Sequence, residues 1–175
     1  MEINTGNPRP SNWRSYAVNA LLLIIIVVGI RAWQQRDMSS GVAPALQGDT
    51  LTGEPYRLPA QPAQPAQPVL VHFWATWCPI CRAEQDSITA IARDYPNVIT
   101  VAMKSGNPDE VIRHMNEQEI GFPVLNDPDG NISGAWGVHA VPASFIIDRE
   151  GQIRFVEVGY TTGLGLRLRL WLAGI

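Results

Sequence analysis

Val69-Leu70-Val71-His72-Phe73-Trp74-Ala75-Thr76-Trp77-Cys78-Pro79-Ile80-Cys81-Arg82 is the stretch on which the reading of this chain turns. Val69 to Trp74 is a short apolar and aromatic run of the kind that forms a buried strand, and Pro79 suits the first turn of a helix, where a missing N–H costs nothing. The two cysteines therefore fall at a strand-to-helix junction. Cys78 is placed near the helix N-terminus, where unpaired backbone N–H groups and the positive end of the dipole favour thiolate over thiol. Cys81 follows three residues later on the same side of that turn, close enough to close a small disulfide ring. A nucleophilic sulfur backed by a second thiol is the apparatus of thiol–disulfide exchange: attack on a foreign disulfide, a mixed disulfide, then resolution.

Two plainer readings of the pair compete with this one. Half of a zinc site is disfavoured because such a site takes four ligands, and the chain has no other cysteine and only 3 histidines. A purely structural disulfide is disfavoured because so short a loop removes little unfolded-state entropy. No metal and no cofactor is expected.

With its flanks, the segment Phe73-Trp74-Ala75-Thr76-Trp77-Cys78-Pro79-Ile80-Cys81-Arg82-Ala83-Glu84 resembles the active-site region of the thioredoxin superfamily. Its W-C-P-x-C-R-x-E form is similar to the TlpA-like, membrane-tethered branch. Phe122-Pro123-Val124-Leu125 and Gly137-Val138-His139-Ala140-Val141-Pro142-Ala143-Ser144-Phe145-Ile146-Ile147-Asp148 resemble later segments of that branch, in the same order. The likeness covers roughly 45–175, and within the branch it is most like the suppressor-of-copper-sensitivity D proteins. It implies an α/β thioredoxin-like fold, a mixed central sheet flanked by helices, behind one N-terminal transmembrane helix.

The 175 residues allow one ordinary domain with some excess. Lys and Arg number 13 against 16 Asp and Glu, which leaves no basic footprint for nucleic acid. From Asp37 onward, 9 basic and 15 acidic residues leave −6, against strong binding to nucleic acid or anionic lipid. The excess lies at the front, where Ala17 to Ile30 is apolar except for Asn19 and Gly29 and is bracketed by Trp13 and Trp33. As a helix, the 21 residues from Trp13 to Trp33 span about 30 Å, one hydrocarbon core. The expected organisation is a cytoplasmic tail over 1–15, an anchor over 16–33, a tether over 34–45 and the domain over 46–175. A cleaved signal peptide ending at Ala43-Pro44-Ala45 competes, but that site lies well past the apolar core. Arg9 and Arg14 before the span balance Arg31 and Arg36 after it, so arginines alone do not orient it, and the N-terminal amine tips it towards tail inside. The resemblance puts the domain outside the cytoplasmic membrane, which in a Gram-negative cell is the periplasm.

Inside the domain, Leu46 to Leu58 reads as a short hairpin over one sheet edge, and 59–68 as a Pro/Ala/Gln polyproline II spacer. After Cys81, Ile88, Ile91, Ala92 and Tyr95 share a helical face up to Pro96. Val98–Met103 reads as a strand, Asn107-Pro108-Asp109-Glu110 as a capped helix start, and 122–125 as another strand. Ile132 to Trp136 reads as a helical turn, and 143–147 with 152–158 as a strand pair about Arg149-Glu150-Gly151. In the tail, leucines alternate from Leu164 to Leu172, which by period argues strand. The resemblance implies a closing helix instead, with Leu164, Leu168, Trp171 and Leu172 on one face.

The resemblance also assigns the site. Cys78 attacks and Cys81 resolves; Trp77, Pro79, Val141 and Pro142 support them, with a cis Val141–Pro142 bond offering Val141's backbone to a bound substrate. His72 stands where relatives carry a buried Asp or Asn. It is read either as a proton handler for Cys81 or as a neutral histidine bonded to a backbone carbonyl. Glu84 is a second proton-handling candidate, weighed against a solvated helix face. His139 is a candidate for tuning the thiolate, while His114 and Lys104 read as surface residues. The implied activity is exchange with cysteine-containing proteins, leaning to reduction, with a membrane partner that resets the pair. A copper-binding module using Cys78, Cys81 and His139 is the alternative.

Overall fold

The computed structural model describes residues 13–35, 38–58 and 67–175, with the side chains of 14, 27, 28 and 31–35 also left aside. It divides into two compact units, Met1–Gln34 and Gln35–Ile175. Helix α1 runs Trp13–Gln35, all but its last residue in the first unit. The anchor expected over 16–33 is thus helical, although part of it lies outside the described side chains, as does most of the 1–15 tail. Among the described residues no helix is long and apolar enough to cross a membrane.

The second unit is built on a six-stranded sheet of order β1-β8-β7-β4-β5-β6, formed by Gly41–Val42 (β1), Gln152–Val158 (β8), Ala143–Ile147 (β7), Val69–Trp74 (β4), Val98–Met103 (β5) and Val124–Asp127 (β6). β4, β5 and β6 are parallel, while β7, β8 and β1 add antiparallel neighbours. This is the mixed sheet that the sequence led us to expect.

Period-two alternation sorts β4 between two cores. Leu70 and Trp74 face the layer of helices α2 (Pro79–Asp94), α3 (Pro108–Glu117) and α5 (Gly163–Ala173), which contribute Ile88, Ile91, Val111, Leu166 and Leu170. Val69, Val71 and Phe73 face the other layer. There Phe73, Phe145 and Trp136 pack with ring centroids 5.0 to 5.7 Å apart. Among the described residues, that second layer is covered by the short helix α4 (Asn131–Ala135) and the hairpin of β2 (Leu46–Asp49) and β3 (Pro55–Leu58). The hairpin does cover an edge, as expected: the Leu51 N–H donates to the Val124 carbonyl of β6 at 2.8 Å.

Two expectations need correction. The tether does not extend to residue 45: Met38 is buried, the Ser39 N–H donates to the Trp136 carbonyl, and Gly41–Val42 pairs with β8. Small residues there serve an edge strand. The strand expected over 122–125 begins two residues later, because Pro123 has no N–H for the ladder and gives only its carbonyl, to Thr100. The tail, by contrast, is the closing helix that the resemblance implied, α5, capped by the Thr162 hydroxyl accepting the Gly165 N–H, and not the strand that period two alone suggested. The alternation arises because apolar residues occupy two faces of this helix, with Arg167 and Arg169 between them. Residues 59–66 of the proline-rich spacer lie outside the described residues.

Candidate active site

Cys78 is the N-cap of α2, with Pro79 at its first position, so the helix begins at the sulfur. The Cys78 Sγ accepts the Cys81 backbone N–H at 3.1 Å, a bond that grows stronger if the sulfur is ionised. Cys78 and Cys81 are joined in a disulfide with Cα atoms 5.3 Å apart. Both are nearly covered, at 4% and 5% exposure, while Trp77 and Ile80 beside them stand out at 60% and 48%. A substrate therefore meets an apolar rim before it meets sulfur.

Opposite the pair, the Val141–Pro142 bond is cis, as the resemblance implies. The Val141 carbonyl oxygen lies 3.6 Å from Cys78 Sγ, so backbone and nucleophile share one side of the site. The neighbouring loop is pinned from β5. The Thr76 N–H donates to Ser105 Oγ at 3.1 Å and the Trp77 indole N–H to the Lys104 carbonyl at 3.0 Å. Sequence reasoning missed both partners, since Lys104 acts through its backbone, held at φ 45°.

His72 is buried on β4, and its Nδ1 is hydrogen-bonded to Ser144 Oγ at 2.9 Å, the residue opposite it on β7. Its partner is thus a hydroxyl, where a backbone carbonyl had been weighed. Burial pushes its pKa down to about 3, so the ring is neutral at physiological pH. His72, Cys78 and Cys81 line one small cavity of about 10 Å³, near the room one water needs. His114 lines it too, stacked on Trp74 with centroids 5.9 Å apart, so it is a partly buried neighbour of the pair rather than a surface residue.

Glu84 is no solvated helix face. It is 1% exposed, one turn after Cys81 on the buried side of α2. Its Oε1 accepts the Thr161 N–H and its Oε2 has no hydrogen-bond partner among the described residues. Burial raises its pKa to about 7, against the lowering effect of the Thr161 bond. It does not line the cavity that holds His72. His139 is exposed in the turn before Pro142, and among the described residues no group of three His, Cys, Asp or Glu side chains is placed to hold a metal. The trio of the copper reading is not brought together.

A dithiol that closes on itself at a helix start, beside a cis-proline backbone, is the equipment of the thioredoxin-like thiol–disulfide oxidoreductases, and the fold and the site together define that class. The AhpC/TSA family model matches residues 40–156, and the chain belongs to that family. It is 32% identical over 104 residues to a thioredoxin-like protein of Haemophilus influenzae, covering 59% of this chain and 62% of that one. It is 37% identical over 91 residues to the thiol:disulfide interchange protein DsbE of Allochromatium vinosum, covering 51% and 50%. The chain thus spans less than two thirds of either relative. Among solved structures, DsbF of MTB superposes with a TM-score of 0.63 at 25% identity, over 74% of this chain and 95% of that one.

Proposed function

We propose that the protein is a membrane-tethered extracytoplasmic thiol–disulfide oxidoreductase that reduces disulfides in other proteins. The observation that carries the reading is the Cys78 sulfur capping α2 and accepting the Cys81 N–H. In the reduced protein, the Cys78 thiolate attacks one sulfur of a substrate disulfide. That bond breaks, a mixed disulfide forms and the other substrate sulfur leaves as thiolate. Cys81 then gives up its proton and attacks Cys78, releasing the second substrate thiol and leaving the disulfide seen here. Two electrons pass to the substrate, and an external dithiol of a membrane partner returns the pair to its reduced form.

Of the two proton-handling candidates, His72 has the place and Glu84 the affinity. His72 shares a cavity with both cysteines but resists protonation, whereas Glu84 titrates near neutrality on the turn after Cys81. We assign the exchange of the Cys81 proton to Glu84, with His72 as a neutral member of the cavity wall. Trp77 and Ile80 form the rim that receives the substrate and Val141 offers its carbonyl. His139 stays a candidate for tuning by charge alone.

The tether is supported by α1, where Leu21 to Ile26, six consecutive apolar residues, are each more than half exposed. Such a run covers every face of a helix, as a lipid-facing segment does. Extracytoplasmic placement is supported by the need of disulfide chemistry for an oxidising compartment. The measured reduction potential of the pair tests the direction. A value near the thioredoxin figure of about −270 mV fits a reductase, and one near about −120 mV would make the protein an oxidant. Retention in the membrane pellet after alkaline carbonate washing tests the tether, and release into the supernatant would remove it.

A further inference from the structure

Among the described residues, two that lack the freedom of glycine adopt left-handed backbone, Glu119 at φ 53° and Lys104 at φ 45°. Glu119 has an ordinary reason. It closes α3, where the Ile120 N–H donates to the Met115 carbonyl at 2.9 Å and the Glu119 N–H to the Asn116 carbonyl at 3.4 Å, the bonds of a left-handed helix end. Lys104 ends no helix. It follows β5 directly, and a residue in this region persists only where its surroundings hold it there, most often beside a functional site.

Lys104 is held from the side of β6. Its N–H donates to the Asp127 carbonyl at 2.8 Å, and its stem lies over the turn at Gly130, where an added Cβ would come to 2.5 Å from the Lys104 Cε. The left-handed step ends the strand and leaves the Lys104 carbonyl to accept the Trp77 indole N–H at 3.0 Å. Ser105, the next residue, fixes only the backbone before this tryptophan, through the Thr76 N–H. With Trp77 60% exposed, packing restrains its ring little, and the bond to Lys104 sets where it points. We propose that Lys104 is a positioning residue for substrate, its left-handed backbone aiming the carbonyl that fixes Trp77 as a wall for a large apolar side chain next to the substrate cysteine. The proposal rests on the oxidoreductase reading above and adds to it the kind of segment that is taken: an extended one, with its apolar residue received between Trp77 and Ile80. The lysine amine has no part in it.

The test compares Lys104→Asn, Lys104→Gly and Lys104→Val in the full, pre-reduced chain, acting on two disulfide-bonded peptides that differ in a single residue beside a cysteine, Leu or Gly. All three variants lose the amine and the stem, but only valine, branched at Cβ, is kept out of left-handed backbone. The expected result is a KM for the Leu peptide within about twofold of wild type in the Asn and Gly variants and raised about fivefold in Lys104→Val, the size of one lost hydrogen bond, with kcat kept. In protein carrying 5-fluorotryptophan, the Trp77 resonance, assigned by its absence from Trp77→Phe, should move in Lys104→Val and stay in place in the other two. Trp77→Phe, which lacks the N–H, should itself raise the KM for the Leu peptide, and this variant decides the matter if valine at 104 prevents folding. An equal rise in all three Lys104 variants would assign the effect to the lysine side chain and overturn the proposal. An unchanged KM in Lys104→Val or in Trp77→Phe would overturn it too, as would equal wild-type KM values for the two peptides. Wild-type protein that exchanges with neither peptide would instead overturn the oxidoreductase reading, and the proposal with it.

Discussion

Glu84 and Thr161, 77 residues apart in sequence, meet where the carboxylate of the active-site helix accepts the backbone N–H just after β8. The other carboxylate oxygen is buried without a partner among the described residues, which makes this acid expensive to ionise. The native state holds its proton up to a pKa of about 7 against 4.5 for an ordinary Glu. Between those values the folded protein binds more protons than the unfolded one, so this group lowers stability as pH rises from about 4.5 to 7. Glu84→Gln should remove that slope and raise stability at pH 8 by up to about 3 kcal/mol, read from urea unfolding at a series of pH values. An unchanged slope would show that Glu84 ionises normally.

His72 acts with the opposite sign. Its native pKa of about 3 against 6.5 means that the unfolded chain takes up the proton first, so its contribution to stability is lost as pH falls from 6.5 towards 3. Over roughly 4.5 to 6.5 the two slopes oppose each other, and the wild-type curve should be nearly level there. His72→Asn should flatten the acid limb. If His72 also carried the Cys81 proton, the same variant would move the pH profile of turnover. The assignment above expects that profile to stay in place, and to shift in Glu84→Gln.

Ser144 gives His72 its hydrogen bond inside the sheet. Ser144→Ala should leave a buried ring nitrogen unpaired and cost about 1–3 kcal/mol in chemical denaturation. A neutral result would mean that a water in the adjoining cavity takes the place of the hydroxyl.

Cys78 and Cys81 should differ sharply once reduced. The helix start and the Cys81 N–H both favour the Cys78 thiolate, so its alkylation by iodoacetamide should show a midpoint below the ordinary thiol value of about 8.5. Cys81→Ala should accumulate mixed disulfides with other proteins, whereas Cys78→Ala should not. An ordinary midpoint at Cys78 would remove the basis for assigning it the attacking role.

Ser105 holds the loop before the cysteines through the Thr76 N–H. Ser105→Ala should cost about 1 kcal/mol of stability and loosen Trp77, seen as a change in its fluorescence anisotropy. The Trp77 indole bond to the Lys104 carbonyl should persist, because no side chain is needed for it.

The sequence revealed most clearly what local pattern controls. The run Val69–Trp74, the Cys-Pro helix start, the capping box of Asn107 with Glu110 and the pair of strands about Gly151 all came out as read. Hidden features depended on partners far away in the chain. Nothing near Glu84 announced that the segment after β8 would close over it, and nothing near His72 named Ser144. Gly41-Val42 was too short and too bland to announce a strand, because β8 supplies the order it lacks. Periodicity failed at α5 for a physical reason, since a helix apolar on two sides imitates the alternation of a strand.

That edge strand also decides how the protein can be handled. A soluble version designed to start at residue 46 would strip Gly41 and Val42 from Ile153 and Gln152 and open the backbone groups at that end of β8, an invitation to strand swapping. Recombinant work on the catalytic portion should keep Met38 and everything after it, and a fusion partner should be joined ahead of that methionine.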